Sequence, residues 1–433
     1  MGLSPTPIRR GMTTVSRLTL GALVAGLAGG ALFARADVAA LPVLLSAADP
    51  VGRLWLDALT MTIVPLVFGL LVTGIASAAA SAIGNGVATR ALLWFALLLL
   101  GACLLAAAAT SLALQLYPVP AQAMTLQAAG PPPVLAAPGD WLTGLIPTNP
   151  IKAAADSAMV PLVIFALFFG FAVSRIDLDL RAAILTVVRA LVETMLVIVR
   201  WVLLLAPLGV AALAFGVGAR VGLSAAGALV HYVMIAAGAC LLATLLAYVA
   251  AVFVGRMSPL GFARAALPAQ IVALSTQSSL ASLPAMIAAT PALRVSEGSA
   301  GIVLPLAVSL FRAASAAANV AVAVYLGHLH GVPLGVGTVL LGALVAVPIS
   351  LAAVGLPAQV SFFATIGPVC LAMGVPLTLL PLLLAVETVP DIFRTLGNVT
   401  ADLAVLRIAG TSAENAPDPR DGAINYPTVQ PAE

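Results

Sequence analysis

Asp391, Arg394, Asn398 and Asp402 follow one another at steps of three, four and four residues near the end of a very apolar chain. That spacing puts all four on one stripe of a single helix. Ionisable side chains at membrane depth are rare, face a protein interior or a water-filled path, and mark substrate and ion routes. The stripe therefore reads as a polar site for a charged solute; the alternative is an Asp391–Arg394 ion pair that only joins helices. Lys152, Asp156, Glu193 and Arg200 read as scaffold or interfacial charges, and His231, His328 and His330 as packing or loop residues. No nucleophile–base pair, phosphate loop or metal spacing accompanies them, and Ser278-Ser279 has no motif-linked histidine, so the chain does not read as an enzyme.

The elements that must position these groups are set by composition. The 433 residues are 62% hydrophobic and 8% charged, with mean hydropathy +1.15, against about 25% charged in soluble domains. The net charge of +3 comes from basic residues dispersed at the ends of apolar stretches, which read as topology signals and not as a nucleic-acid patch. Cys103, Cys240 and Cys370 are far apart in apolar surroundings, so buried thiols are expected and no disulfide. Arg9, Arg10 and Arg17 precede the first apolar segment. The many spans that follow favour a first transmembrane helix with a cytoplasmic N-terminus over a cleaved signal.

A membrane-crossing helix needs roughly 20 apolar residues. Such stretches fall near 18–35, 50–79, 90–117, 141–174, 182–217, 222–255, 297–326 and 376–405. Two further segments, 258–295 and 334–374, are interrupted by Ser275-Thr276-Gln277-Ser278-Ser279-Leu280-Ala281-Ser282-Leu283-Pro284 and by Ser350-Leu351-Ala352-Ala353-Val354-Gly355-Leu356-Pro357. Non-helical backbone at this depth is tolerated only where protein buries it or a cavity solvates it. Paired interruptions of this kind point to two re-entrant hairpins at a transporter's binding site, with two proline-kinked helices as the alternative. The expected fold is all-α and polytopic, with about eight transmembrane helices and two hairpins. Residues 118–139 read as an extracellular loop, 1–17 as a cytoplasmic segment and 406–433 as a disordered cytoplasmic tail.

Several segments resemble the dicarboxylate/amino acid:cation symporter family, the glutamate-transporter homologues. They are Met61-Thr62-Ile63-Val64-Pro65-Leu66-Val67-Phe68, Ile146-Pro147-Thr148-Asn149-Pro150, Gln277-Ser278-Ser279-Leu280-Ala281-Ser282-Leu283-Pro284, Gly355-Leu356-Pro357, and the last-helix pattern Asp391-x-x-Arg394-Thr395-x-x-Asn398-Val399-Thr400-x-Asp402. The resemblance implies an elevator-type secondary transporter for acidic amino acids in a bacterial inner membrane, assembled as a homotrimer among membrane lipids. It implies a scaffold mainly of 18–80 and 141–217 and a transport domain mainly of 90–117 and 258–405, moving a small anionic substrate with no nucleic-acid partner. Asp391 would pair with a substrate ammonium and Arg394 would grip a side-chain carboxylate with its planar fork. Thr395 and Asn398 would donate to remaining oxygens. Ser278, Ser279 and the backbone N–H groups of the first hairpin tip would hold an α-carboxylate, and Gly355 would belong to the gating tip. Glu387, seven residues before Arg394 where the family commonly has Asp, would play a structural or hydrogen-bonding part.

The seventh helix departs from that pattern. Where the family carries NMDGT, an unwound sodium-binding turn, this chain has Phe311-Arg312-Ala313-Ala314-Ser315, and residues 91–109 of the third helix contain no Ser, Thr or Tyr. Sodium, a hard cation, needs several oxygen ligands, as do other hard cations. One ion site is therefore expected to be lost, with Asn398 and Asp402 remaining from another. Arg312 is the expected replacement charge, paired with Asp402 or Asp391. The coupling ion is left as Na⁺ or H⁺, with no other cofactor; the family's proton-carrying glutamate falls near Asn319. A C4-dicarboxylate or other organic-anion carrier, and an anion channel or sensor on the same scaffold, remain as alternatives.

Overall fold

Long apolar runs in this chain are divided where proline or a borrowed cap forces a joint. The computed structural model describes residues 7–36, 38–82, 86–119, 146–222, 224–352 and 358–411. The first run forms α1 (Pro7–Arg35), and the next is split into α2 (Leu41–Thr60) and α3 (Ile63–Ala82). Pro65 explains that split, because a proline ring collides with the carbonyl four residues earlier, here Met61. A single long helix follows, α4 (Gly86–Leu116), then the short α5 (Pro150–Ala155) and α6 (Met159–Val173). α5 starts where Asn149 accepts from the N–H groups of Ile151 and Lys152, both at 3.0 Å, with Pro150 at its first position. The Asn149-Pro150 pair is thus a helix start.

α7 (Leu178–Leu204) and α8 (Ala206–Val221) meet at Leu205, and α9 (Ser224–Phe253) completes this part of the bundle. α1 lies along α8 at backbone distance: a Cβ on Gly30 would stand 2.1 Å from the Phe215 carbonyl oxygen. Small residues are what allow such approach between membrane helices.

The expected first hairpin is present as α10 (Pro259–Thr276) and α11 (Ser279–Ala288), which pack on one another and on the last helix. Its interruption is narrower than the sequence suggests. Gln277 turns the chain with a left-handed φ of 51°, and Ser278 caps α11 by accepting from Ala281 N–H at 3.2 Å. Pro284 therefore lies inside α11 and does not close the break. The second pair is α14 (Val336–Ala352) and α15 (Ala358–Ala372), also packed together; its tip, Gly355 included, lies outside the described residues.

Between the hairpins run α12 (Glu297–Leu310) and α13 (Ala313–Leu329), and after them α16 (Leu380–Val386) and α17 (Thr388–Ala409). α13 is central: all its residues except His328 are buried, and it packs against α4, α9, α14, α15 and α17. Pro390 sits four residues after Val386, the last residue of α16, and so forces the joint at Glu387.

Six stretches among the described residues are long and apolar enough to cross a membrane: Leu18–Arg35, Leu41–Ala80, Gly86–Leu116, Leu178–Leu204, Ala226–Phe253 and Glu297–Leu329. The expected fourth, fifth and eighth spans are instead divided, the fourth into α5 and α6, the fifth into α7 and α8, and the eighth into α16 and the charge-bearing α17. Leu93, Trp201 and Phe253 point outward, as suits a lipid-facing surface. The expected tail begins later than 406. Arg407 donates to the Gly255 carbonyl at 2.8 Å, and Thr411 joins Ser296 and Ser299 in a hydroxyl cluster, which anchors the chain through 411. All three cysteines are buried and free.

Candidate functional site

α17 turns its polar stripe into the protein. Asp391, Arg394, Thr395, Asn398 and Asp402 are all buried, Asp402 completely. The close approach this needs is made at Gly397, where a Cβ would come within 2.6 Å of the Ala314 side chain and 2.8 Å of Thr244 Oγ1. Only glycine lets α17 settle between α9 and the start of α13.

The break in the seventh helix persists although its expected motif is gone. Phe311 and Arg312 leave the helix with φ,ψ of −111°,116° and −138°,67°. No proline stands there to explain it. The amide of Asn398 does: its Oδ1 accepts from Ala314 N–H at 3.0 Å and Ser315 N–H at 3.2 Å, and its Nδ2 donates to Ser315 Oγ at 2.9 Å. The N-terminus of α13, which Arg312 itself does not cap, is capped by a side chain from another helix. Phe311 points the other way and stacks on Phe95 of α4, ring centroids 4.5 Å apart and 12° from parallel. Both rings are fully buried. The region where resemblance puts hydroxyl and carboxamide ligands is filled by two aromatic rings.

These contacts bear on a sodium ion between Asn398 and Asp402. The Asn398 amide oxygen is taken up by the cap, and the Phe311 side chain offers no oxygen. Of these side chains only Asp402 has oxygens left over, and a hard cation there would need further oxygen ligands from the main chain. Both oxygens lack a hydrogen-bond donor. Arg312 is the nearest balancing charge. It feels both Asp402 and Asp391 but forms a direct ion pair with neither, and its Nε is buried without an acceptor. The expected pairing is thus electrostatic across a gap, since Arg312 leaves an extended turn instead of a helix face.

Arg394 meets an internal partner in Glu387, the residue expected to play a structural or hydrogen-bonding part. Its Nη2 stands 2.5 Å from Glu387 Oε1, both side chains being nearly wholly buried. Nη2 is thus taken up by Glu387, while Arg394 Nε is left without an acceptor. Glu387 Oε2 accepts from Tyr232 Oη at 2.7 Å. The signal for Glu387 was its position two helical turns before Arg394; Tyr232, 155 residues away, had none.

The other expected donors are engaged locally. Thr395 Oγ1 donates to the Asp391 carbonyl at 2.9 Å, and Ser278 Oγ is the α11 cap. Ser279 is half-buried at the start of α11, a helix that packs against α17. Asp391 is buried but forms no ion pair. A second buried network lacked any sequence signal: Gln270 of α10 donates to Thr400 Oγ1 at 2.9 Å and Tyr248 Oη at 3.2 Å, tying the first hairpin to α17 and α9. At Asn319 the chain has an amide whose Oδ1 accepts from Thr365 of α15 at 3.3 Å.

The arrangement offers a buried guanidinium whose Nε has no acceptor, a buried carboxylate without an ion pair three residues away, and the first hairpin packed on the same helix. A match to known proteins agrees with it. The family model described as Sodium:dicarboxylate symporter family matches residues 16–411. The chain is 30% identical over 275 residues to the Proton/glutamate-aspartate symporter of Escherichia coli (strain K12), a match covering 62% of this chain and 61% of that protein, less than two thirds of its length. It is 26% identical over 413 residues to the C4-dicarboxylate transport protein of Deinococcus radiodurans, covering 92% and 88%. Similarity to C4-dicarboxylate transport protein 1 of Pseudomonas paraeruginosa is 25% over 403 residues, covering 90% and 89%. With its membrane-crossing helices, paired hairpins and buried α17 stripe, this chain belongs to the sodium:dicarboxylate symporter family, a family of polytopic membrane transporters and not enzymes.

Proposed function

We propose that this transporter carries acidic amino acids such as aspartate or glutamate by an elevator movement, with sodium coupling reduced or absent. The observation that carries this reading is Arg394, buried with its Nε lacking an acceptor, three residues from Asp391, a buried carboxylate with no ion pair. One grips a side-chain carboxylate and the other an ammonium, while Ser278 and Ser279 present the α11 start to the α-carboxylate. Arg312 supplies fixed positive charge near Asp402 in place of a bound cation. The Escherichia coli relative, a proton/glutamate-aspartate symporter, supports both the substrate class and proton coupling.

A second reading, a C4-dicarboxylate carrier, is favoured by relatives that match about nine tenths of the chain and by the electrostatic link between Arg312 and Asp391. In it, Asp391 balances Arg312 and no ammonium is bound. The same resemblance supports a homotrimer in a bacterial inner membrane with both termini cytoplasmic. α7 is consistent with that assembly, since only 17% of its apolar stretch is buried within one protomer.

Labelled aspartate counterflow in proteoliposomes, with unlabelled aspartate or succinate inside, separates these readings. Exchange with aspartate supports the first, and exchange with succinate alone moves the assignment to the second. A conductance without exchange sinks both and leaves a channel. Replacing Na⁺ by choline is expected to leave exchange unchanged; steep Na⁺ dependence with a Hill coefficient above one would sink the Arg312 assignment.

A further inference from the structure

We infer that Glu387 is the proton acceptor that couples transport to proton entry: it is protonated when a substrate carboxylate takes its place on Arg394. The inference rests on the reading of Arg394 as the substrate's carboxylate grip.

Glu387 occupies the joint that Pro390 forces between α16 and α17, and it is 3% exposed. Its two oxygens have different partners. Oε2 holds the Tyr232 hydroxyl and Oε1 lies against Arg394 Nη2. Around this joint and the α12/α13 break stand three buried acids, Glu387, Asp391 and Asp402, against two bases, the buried Arg394 and the half-buried Arg312. An incoming substrate carboxylate would make Arg394 the sole direct counter-charge for two buried anions. Two carboxylates that share one desolvated cation are most stable when one of them carries a proton.

Glu387 is built to be that one. A proton on Oε1 neutralises it there, while Oε2 keeps the Tyr232 bond, so the side chain stays in place and the guanidinium fork turns wholly to the ligand. When substrate leaves, Glu387 returns to Arg394 and the proton is released on that side. Asp402 lies eight residues farther along α17, about 12 Å along the axis, and answers to Arg312, so its protonation would not free Arg394.

Groups facing Glu387 are Tyr232 and Cys240 from α9 and Asp391 and Arg394 from α17. Arg312, at the start of α13, reaches it only through its field on Asp391 and Arg394. α1 and α8 meet α16 with Leu23, Leu27 and Val217. Cys370 of α15 is a buried thiol with no electrostatic link to Glu387.

The test begins with purified wild-type protein in weakly buffered solution containing a pH indicator. Titration with aspartate, or with succinate should the dicarboxylate reading hold, is expected to take up about one proton per ligand bound near neutral pH. Glu387→Gln should bind within about tenfold of wild type and take up none. In proteoliposomes that variant should keep counterflow while an inward proton gradient no longer drives accumulation. Wild-type binding without proton uptake overturns the inference, as does gradient-driven accumulation by Glu387→Gln. Proton uptake that survives in Glu387→Gln but is lost in Asp402→Asn also overturns it. Should Glu387→Gln not fold, Tyr232→Phe removes the donor that favours the charged form. The pH midpoint of uptake should then rise, and an unmoved midpoint overturns the assignment. Failure of the underlying reading looks different: wild type then binds neither ligand.

Discussion

At the scale of single residues, the site is defined by incompletely partnered charges. Arg394 Nε has no acceptor beside the Glu387 contact, Asp391 has no ion pair, and both oxygens of Asp402 lack a donor. Burial of such groups is costly unless a ligand or a neighbouring charge compensates them. Arg394→Ala is therefore expected to abolish binding of acidic substrates, a loss readable by calorimetry, and retained affinity would contradict its role. It also leaves Glu387 buried without its cation, at a cost of about 3–5 kcal/mol, so thermal melting of the variant should be measured alongside. Asp391→Ala should weaken aspartate far more than succinate, because only the former carries an ammonium. Equal losses for both ligands would make Asp391 structural.

At the scale of elements, the joint between α12 and α13 is held by a single carboxamide from α17. Asn398 takes the part of an N-cap from another helix, so its loss should act as loss of a cap and of a buried hydrogen-bond pair together. Asn398→Ala is expected to destabilise the protein by about 2 kcal/mol and to impair exchange. An unchanged melting temperature would show that the break holds itself. The opposite side of the same joint is apolar. Phe311→Ala empties the volume stacked on Phe95 and should cost about 3–5 kcal/mol. If that loss is small and sodium dependence appears, the aromatic pair is what closes the ion site.

At the scale of the whole molecule, two sets of helices are each tied internally. α1 and α8 are locked at backbone distance, and α9, α13, α17 and the first hairpin are joined by the Gln270, Asn398 and Arg407 bonds. α7 leaves most of its apolar surface for lipid or neighbouring subunits. Native mass measurement in mild detergent is expected to give three copies of the 43.4 kDa chain. A monomer that still exchanges substrate would show that the assembly is dispensable.

The sequence by itself determined the class of fold, the first hairpin and the α17 stripe, because each is written in local signals: apolar run length, hydroxyl-rich interruption and helical spacing. It also marked the seventh helix as the departure from family pattern. Only tertiary structure decided what those residues touch. Proline positions foretell the joints at Met61 and Glu387, yet nothing local foretells that Asn398 would cap α13, since its partners lie 83 and 84 residues away. The pairing of Phe95 with Phe311, the Tyr232 bond to Glu387 and the gap between Arg312 and Asp402 are likewise set by packing between distant segments. Residue type and spacing fix which groups share a helix face; the charges and donors brought opposite that face depend on how the other helices close around it.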